Sequence, residues 1–552
     1  MLSSILFILI ASSAPSVWAN SNLETHVDSL DLEASFTPVV ASEFMGNPHH
    51  HRTPFAVSPD GNNGYVAYLQ GSGNVHVQKV TLDTFKKDGK AITVSGAMEA
   101  SGLVAHNDGF ALLTHLNMTQ DGPEEYWIPT VLRYKNGKQA WSTPVGGKTV
   151  TFNMFPDTKF RANKGSLDGD LKFGENGTYA AFFRAEYYGG SVAGHGGDSI
   201  VYLDDKGLRI NGKYSQTQHC GHNFGIALST SKNIPFAAVC TSDDGNISIA
   251  SSSKDEMPTI GEQHPEEMFA AEAFGGTRGS YSGMVHMGTG ESYLLAWVAR
   301  PAGGSDHLTR IVRVAQLSAK DTVGRGPKDV TQHQDKVDCI NAHIATIDDT
   351  HALVSWEEND VSDCDGNDFN GYGCGKSRYT GTKFQIVDAS GSNQGSSFSS
   401  SDVFVSGDIA KVGSKLCWPY VNMKWSSSSD DTIKGTGNTV KKLSFACYAS
   451  SGSSKSSPII IESAETSSAI LLQPSQTNME VESTAVTTPS VSEPADQTCT
   501  LTGLATTPLR DWLLAPQPTV GAVPTSFVTK VKTWSEAHHY HHHRLDTGGV
   551  DE

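Results

Sequence analysis

The strongest constraint on this chain is a phrase it repeats. Short apolar runs recur as GYVAY at 64–68, GFALL at 109–113, TYAAF at 178–182, PFAAV at 235–239, SYLLA at 292–296, HALVS at 351–355 and SFACY at 444–448. Most follow a turn-forming group, such as SPDGNNG, HNDG, GENG, TSKNI, GTGE or DDT. A run this short and this apolar, entered through a tight turn, reads as a strand buried on both faces. Six of the runs are followed by a second segment whose apolar residues alternate: NVHVQKV, IPTVLRY, SIVYL, ISIAS, RIVRVAQL and FQIVD. PIIIE at 458–462 is the matching candidate for the seventh. Each buried run also has an extended segment before it: PFAVS, SGLVAH, GDLKF, FGIALS, SGMVHM, AHIATI and PYVNMKW.

The unit is therefore strand, tight turn, buried strand, longer loop, outer strand, returning every about 45 to 70 residues with one longer last gap. Units of that size close into a ring with few exposed edges. The expected fold is an all-β propeller of seven four-stranded blades over residues 53–462. The Ser-rich last gap holds either insertions or an eighth blade. High glycine, at 54 residues, and a charged fraction of only 18 % suit short strands and turns better than long helices.

The flanks differ in kind. MLSSILFILIASSAPSVWAN has a short apolar run and small residues at Val17 and Ala19, the pattern of a signal peptide over 1–19. The run is about half of what a membrane span needs, and no later segment is long and apolar enough for one. Residues 20–52 form an N-terminal segment. Residues 463–552 are expected to be a mostly disordered, Ser/Thr/Pro-rich tail, with Cys499 able to tether a short docked piece. Eight cysteines, Cys220, Cys240, Cys339, Cys364, Cys374, Cys417, Cys447 and Cys499, make an even count that suggests four disulfides in a secreted chain. Cys220 with Cys240, and Cys364 with Cys374, are local candidates. Sequons at Asn117, Asn176 and Asn246 lie in or beside expected turns. A net charge of -18 argues against nucleic acid and anionic membranes as partners. The expected location is extracellular or cell-wall associated, and the expected state is a monomer.

In such a ring the first strand of each blade lines the central channel. The segments assigned to those strands carry His106, His222, Tyr281, His286, His343, Trp418 and Tyr420, which would converge on the axis. A second group, RAEYYGGSVAGHGGDS, offers Arg184, Tyr188 and His195 on a glycine-rich backbone that a ligand can approach closely. There an arginine could pair with a sugar carboxylate while tyrosines stack on the ring. A third group, Asp363, Asp365, Asn367 and Asp368, offers hard oxygen ligands suited to calcium, although the EF-hand spacing fails. The histidines at 49–51 and 538–543 read as incidental, weak metal-binding tracts with disordered flanks.

The repeat and these polar aromatics resemble secreted polysaccharide lyases of the seven-bladed propeller type. The resemblance rests on residue type over about 53–462 and on no diagnostic motif. It implies elimination at a uronate of an acidic polysaccharide, needing no cofactor. Arg184 would clamp the carboxylate, His222 or His106 would take the α-proton, and Tyr188 or Tyr281 would protonate the leaving oxygen. His195, His286, His343, Trp418 and Tyr420 would line the substrate site. Two alternatives stand beside it. One is a carbohydrate-binding or adhesive propeller that performs no chemistry. The other is a glycoside hydrolase, for which Asp168, Asp170, Glu186 and Glu357 are available but no pair stands out.

Overall fold

The computed structural model describes residues 23–40, 49–71, 73–118, 127–147, 150, 159–161, 169–188, 196–211, 215, 220, 225–241, 247–250, 283–299, 309–320, 322–364, 376–425 and 438–449. These form 29 strands and, among the described residues, no helix. Seven antiparallel blades account for nearly all of them.

Blades 1 to 6 run outward from the axis in chain order. Blade 1 is β4 (Phe55–Val57), β5 (Gly64–Gln70), β6 (Asn74–Val80) and β7 (Ile92–Ser95). Blade 2 is β8 (Ala97–His106), β9 (Gly109–Asn117), β10 (Trp127–Lys135) and β11 (Lys138–Pro144). Blade 3 is β13 (Gly169–Phe173), β14 (Tyr179–Tyr188) and β15 (Gly196–Leu203), with a bridge from Leu203 to Arg209 at its outer edge. There β12 (Lys159–Arg161) pairs with the far end of β14. Blade 4 shows β16 (Gly225–Ser229), β17 (Ala237–Thr241) and β18 (Ile247–Ile249). Blade 5 is β19 (Met284–Met287), β20 (Ser292–Ala299), β21 (Ile311–Ala319) and β22 (Thr322–Asp329). Blade 6 is β23 (Val337–Thr346), β24 (His351–Asp360), β25 (Arg378–Asp388) and β26 (Asn393–Ser400).

Blade 7 closes the ring with strands from both ends of the propeller. Its inner three strands are β27 (Ala410–Val412), β28 (Lys415–Tyr420) and β29 (Val440–Ala449). Its outer strand is β1 (Leu23–Phe36), which pairs antiparallel with β29 from Leu23 against Tyr448 to Phe36 against Val440. This differs from the sequence expectation in two ways. SFACY is the third strand of its blade, not the second, and the outer position is filled by the N-terminal segment. PIIIE and everything after 449 lie outside the described residues.

The core explains why the second strands read as uniformly apolar. It is divided into seven clusters, one between each pair of neighbouring blades. A second strand feeds two of them at once. On β14, Tyr179, Ala181 and Phe183 pack toward blade 2, while Ala180 and Phe182 pack toward blade 4. On β20, Tyr293, Leu295 and Trp297 face blade 4, and Leu294, Ala296 and Val298 face blade 6. Period-two alternation persists, but both faces are interior.

Two disulfides join described residues. Cys220–Cys240 lies at the start of blade 4, and Cys417–Cys447 links directly paired positions of β28 and β29. Cys364 is also disulfide-bonded; Cys374 and Cys499 lie outside the described residues. The expectation that all eight cysteines pair needs correction at Cys339. It is a free, buried thiol, seated in the apolar layer of Val312, Val330 and Trp356 between blades 5 and 6. No second cysteine belongs to that layer, and burial pushes its thiol pKa well up.

Candidate functional site: the two ends of the axis

The axis has two ends of different character. At the end where the inner strands begin, two of them bulge. The β8–β9 ladder breaks register between Met98 and Gly102, and the β23–β24 ladder between Ile340 and His343. Within the bulges Glu99 (φ 64°) and Asn341 (φ 55°) take left-handed backbone conformations. Asparagine tolerates that region, but glutamate seldom enters it. Bulges of this kind re-aim side chains, and strain of this kind collects where something must be held.

What they hold is the stretch from His50 to Thr53. Val39 and Val40 pair as β2 (Val39–Val40) with β3 (His49–His50), and the chain then crosses the inner rim. The His50 Nε2–H donates to Glu357 Oε1 at 2.7 Å. Glu357 also accepts from Trp425 Nε1 at 2.7 Å and Asn341 Nδ2 at 2.8 Å. Asn341 in turn donates to Val405 O and lies 3.0 Å, through Oδ1, from His343 Nε2. Arg52, with a side chain 1 % exposed, donates to the carbonyls of Ser101 and Gly169 and to both carboxylate oxygens of Asp408 at 3.1 Å. Its guanidinium thus joins blades 2, 3 and 7.

His51 is held differently. Its Nδ1–H donates to Thr37 O at 2.8 Å and its Nε2–H to Glu99 Oε2 at 2.9 Å. Both ring nitrogens face acceptors, which favours the imidazolium. Burial opposes that charge, but the Glu99 carboxylate outweighs it and raises the His51 pKa. Burial likewise works against the Glu99 anion, yet His51 and the Ala100 amide hold its pKa below the ordinary value. The histidines at 50 and 51, read in the sequence as part of an incidental metal tract, are therefore interior residues. Their partners stand in other blades, so no local pattern announces them.

At the other end, where the tight hairpins lie, the axis opens into a cavity of about 550 Å³. All seven inner strands contribute to its wall. The apolar part includes Phe55, Leu171, Phe173, Met284 and Ile344, and the polar part includes Lys172, Ser229, His286, Thr346, Asp348 and Lys411. Asp408 lies between the two ends, lining this cavity and accepting from Arg52. Several polar groups are already engaged. Lys172 Nζ lies 3.2 Å from Asp170, which is 3.8 Å from Arg52. The Asp348 carboxylate closes its own turn. Burial opposes its charge, but Thr350 and His351 donate to it and draw its pKa to about 2.

Those residues singled out from sequence that are described take separate places. His106 ends β8 at the hairpin end, with Nε2 2.7 Å from the Tyr179 hydroxyl and its ring edge-on to Phe173. Burial and nearby Arg133 push its pKa to about 4, so it is a neutral stitch between blades 2 and 3. His286 is half-buried in the cavity wall and donates to Gly290 O. His343 is buried beside Asn341, and burial lowers its pKa to about 4. Trp418 and Tyr420 stand on β28, a second strand, rather than on a first strand as expected. Trp418 donates to Phe404 O at 2.9 Å inside the core between blades 6 and 7, and Tyr420 is buried beside Ser444. Arg184 lies on β14 directly opposite Asp198 of β15, and Tyr188 is the last residue of β14. Asp363 is exposed, 3.7 Å from Arg378. Asn117 ends β9, and Asn176 sits exposed in the turn before β14. His195, His222, Tyr281, Asp365, Asn367, Asp368 and Asn246 lie outside the described residues. Among the described candidates, His286 alone lines the axial cavity.

No protein-family model matches the chain, and no curated protein sequence matches it. Solved structures show only a distant likeness to it. A protein of unknown function from Dyadobacter fermentans is 9 % identical, with 77 % of this chain and 99 % of that chain covered and a TM-score of 0.35. A Trypanosoma rangeli sialidase is 12 % identical, with 59 % and 57 % covered and a TM-score of 0.32. An exo-1,5-α-L-arabinanase from a bovine ruminal metagenomic library is 11 % identical, with 55 % and 98 % covered and a TM-score of 0.23. Likeness at this level assigns no family and no activity; the molecule is a seven-bladed β-propeller whose ring is closed by its own N-terminal strand.

Proposed function

We propose that this protein is an extracellular glycan-binding propeller that seats an acidic sugar in the axial cavity without cleaving it. The observation that carries this reading is the cavity wall. About 550 Å³ is ringed by all seven blades, within the range of small-ligand sites. Its apolar residues suit the C–H faces of a sugar, its hydroxyls suit hydroxyl partners, and Lys172 and Lys411 suit a carboxylate. The two disulfides agree with an oxidising compartment.

The binding reading is preferred to the lyase reading because the described acid and base groups are committed elsewhere. His106 is tied to Tyr179, His343 to Asn341, and Asp408 to Arg52. Proton transfer needs a group within reach of a substrate proton; His106 and His343 do not line the cavity, and Asp408, which does, is held by Arg52. A panel of uronate-containing oligosaccharides tested by calorimetry checks the reading. Binding that weakens in Lys172→Ala and Lys411→Ala, with the oligosaccharide recovered intact, is expected. Release of an unsaturated uronate, seen as new far-ultraviolet absorbance, would restore the lyase.

A further inference from the structure

Blades 1 and 2 part at the hairpin end to leave a groove of about 480 Å³. It is separate from the axial cavity and shares no lining residue with it. Three aromatic residues back its inner side, Tyr65 and Tyr134 showing less than a tenth of their surface and Phe110 buried behind them. Phe110 stands between Tyr65, at 5.5 Å centroid to centroid, and Tyr134, at 5.0 Å and nearly parallel. Three amide side chains, Asn63, Asn107 and Asn136, come to it from three different turns. Two of these are tied together: Asn63 Nδ2 donates to the Asn107 carbonyl at 3.2 Å, and Asn107 Oδ1 accepts from the Asp60 amide at 3.2 Å. Asn136 is fixed by a backbone bond to Asp108 O at 2.6 Å and by its left-handed φ of 49°.

We infer that this groove is a second binding site, for a neutral glycosyl unit. Aromatic carbon beside side-chain amides is the chemistry that recognises a pyranose: the accessible edges of Tyr65 and Tyr134 meet its C–H face, and the amides offer donors and acceptors to adjacent hydroxyls. Four charged residues line the groove, Lys79, Lys90, Asp88 and Asp108, and three of them are held in ion pairs. Lys79 and Asp88 pair at 2.8 Å, and Asp108 is paired with Arg133. A ligand with no net charge leaves these pairs undisturbed. The volume matches one or two sugar rings. The inference rests on the glycan-binding reading above, but it names a different site and a different class of sugar.

The test is ligand-observed NMR and calorimetry on the intact protein with glucose, galactose, mannose, fucose and N-acetylglucosamine, alongside a uronate oligosaccharide. At least one neutral sugar is expected to bind in Asn63→Ala/Asn136→Gly about tenfold more weakly than in wild type, as loss of two amide hydrogen bonds requires. Glycine keeps the left-handed backbone at 136, so the double variant retains the turn; an unchanged melting temperature confirms it. Uronate binding should survive in that variant and fall in Lys172→Ala. If neutral sugars bind wild type and the double variant equally, or bind neither, the groove site is overturned while the axial reading stands. If uronates fail and neutral sugars bind through Asn63 and Asn136, the axial reading falls and the groove remains.

Discussion

Replacing Glu357 with alanine removes a carboxylate that three donors share. The His50 imidazole and the Trp425 indole, each at 2.7 Å, have no other acceptor among the described residues, while the Asn341 amide keeps Val405 O. Hydrogen bonds to a charged group contribute about 1.5–3 kcal/mol each, and breaking a buried pair costs about 3–5 kcal/mol. Both routes place the loss near about 4 kcal/mol, a large part of the roughly 5–15 kcal/mol that holds a typical domain. Urea titration followed by tryptophan fluorescence measures it, as a lower midpoint at constant slope. A double-mutant cycle with His50→Ala isolates the contact, and a coupling of about 1 kcal/mol or more is expected. A loss under about 1 kcal/mol for Glu357→Ala, or no coupling to His50, would show that this network does not anchor the residues before blade 1.

Other outcomes follow from the same coordinates. The His51–Glu99 pair should make stability bell-shaped in pH. The raised His51 pKa contributes fully below the ordinary 6.5 and is lost as pH rises through the folded value, while the lowered Glu99 pKa contributes above the ordinary 4.5 and is lost as pH falls through its folded value. Midpoints measured across that span should peak between the two, and Glu99→Gln should flatten the profile; a wild-type curve already flat there would refute the pairing. Leu30→Ala, far toward the N-terminus but fully buried between blades 7 and 1, should cost about 2–5 kcal/mol like any core truncation. A neutral result would mean that β1 does not close the ring. For the acidic loop, a chelator should leave the melting temperature unchanged, because the described carboxylate, Asp363, faces Arg378; a clear drop would establish calcium there.

How much of this could be read beforehand depends on what each residue's neighbours are. The second strands of blades 1 to 6 were legible because alternate side chains enter two different interblade cores, which leaves an apolar run with no polar face. Blade 7 was misread for the same reason. SFACY lies between β28 and β1 and is as enclosed as a second strand, whereas its true edge, LETHVDSLDLEASF, is half polar and 416 residues away where Asp28 meets Ser444. No periodicity links such distant edges. The axial network was hidden by the same separation: His50 needs Glu357, His51 needs Glu99, and Arg52 needs Asp408. HHHRTPF looks like a polar tract until three blades surround it. Trp418 and Tyr420 were read as channel residues because they are aromatic and carry polar tips, but a blade's second strand offers equally good partners in its interior.

Closure by the first strand sets an order on biosynthesis. Synthesis at about 5–20 residues per second leaves β1 without its partner for roughly 20–80 s, the time needed to make the 416 residues that separate Asp28 from Ser444. Throughout that interval Leu30, Leu32 and Phe36 can meet only the blade 1 half of their core, and six nascent blades wait with an open seam. A chaperone that holds the leading strand until translation finishes would act on this protein more than on a ring whose last blade is contiguous. Stalling the ribosome before residue 440 should leave a soluble chain only in its presence.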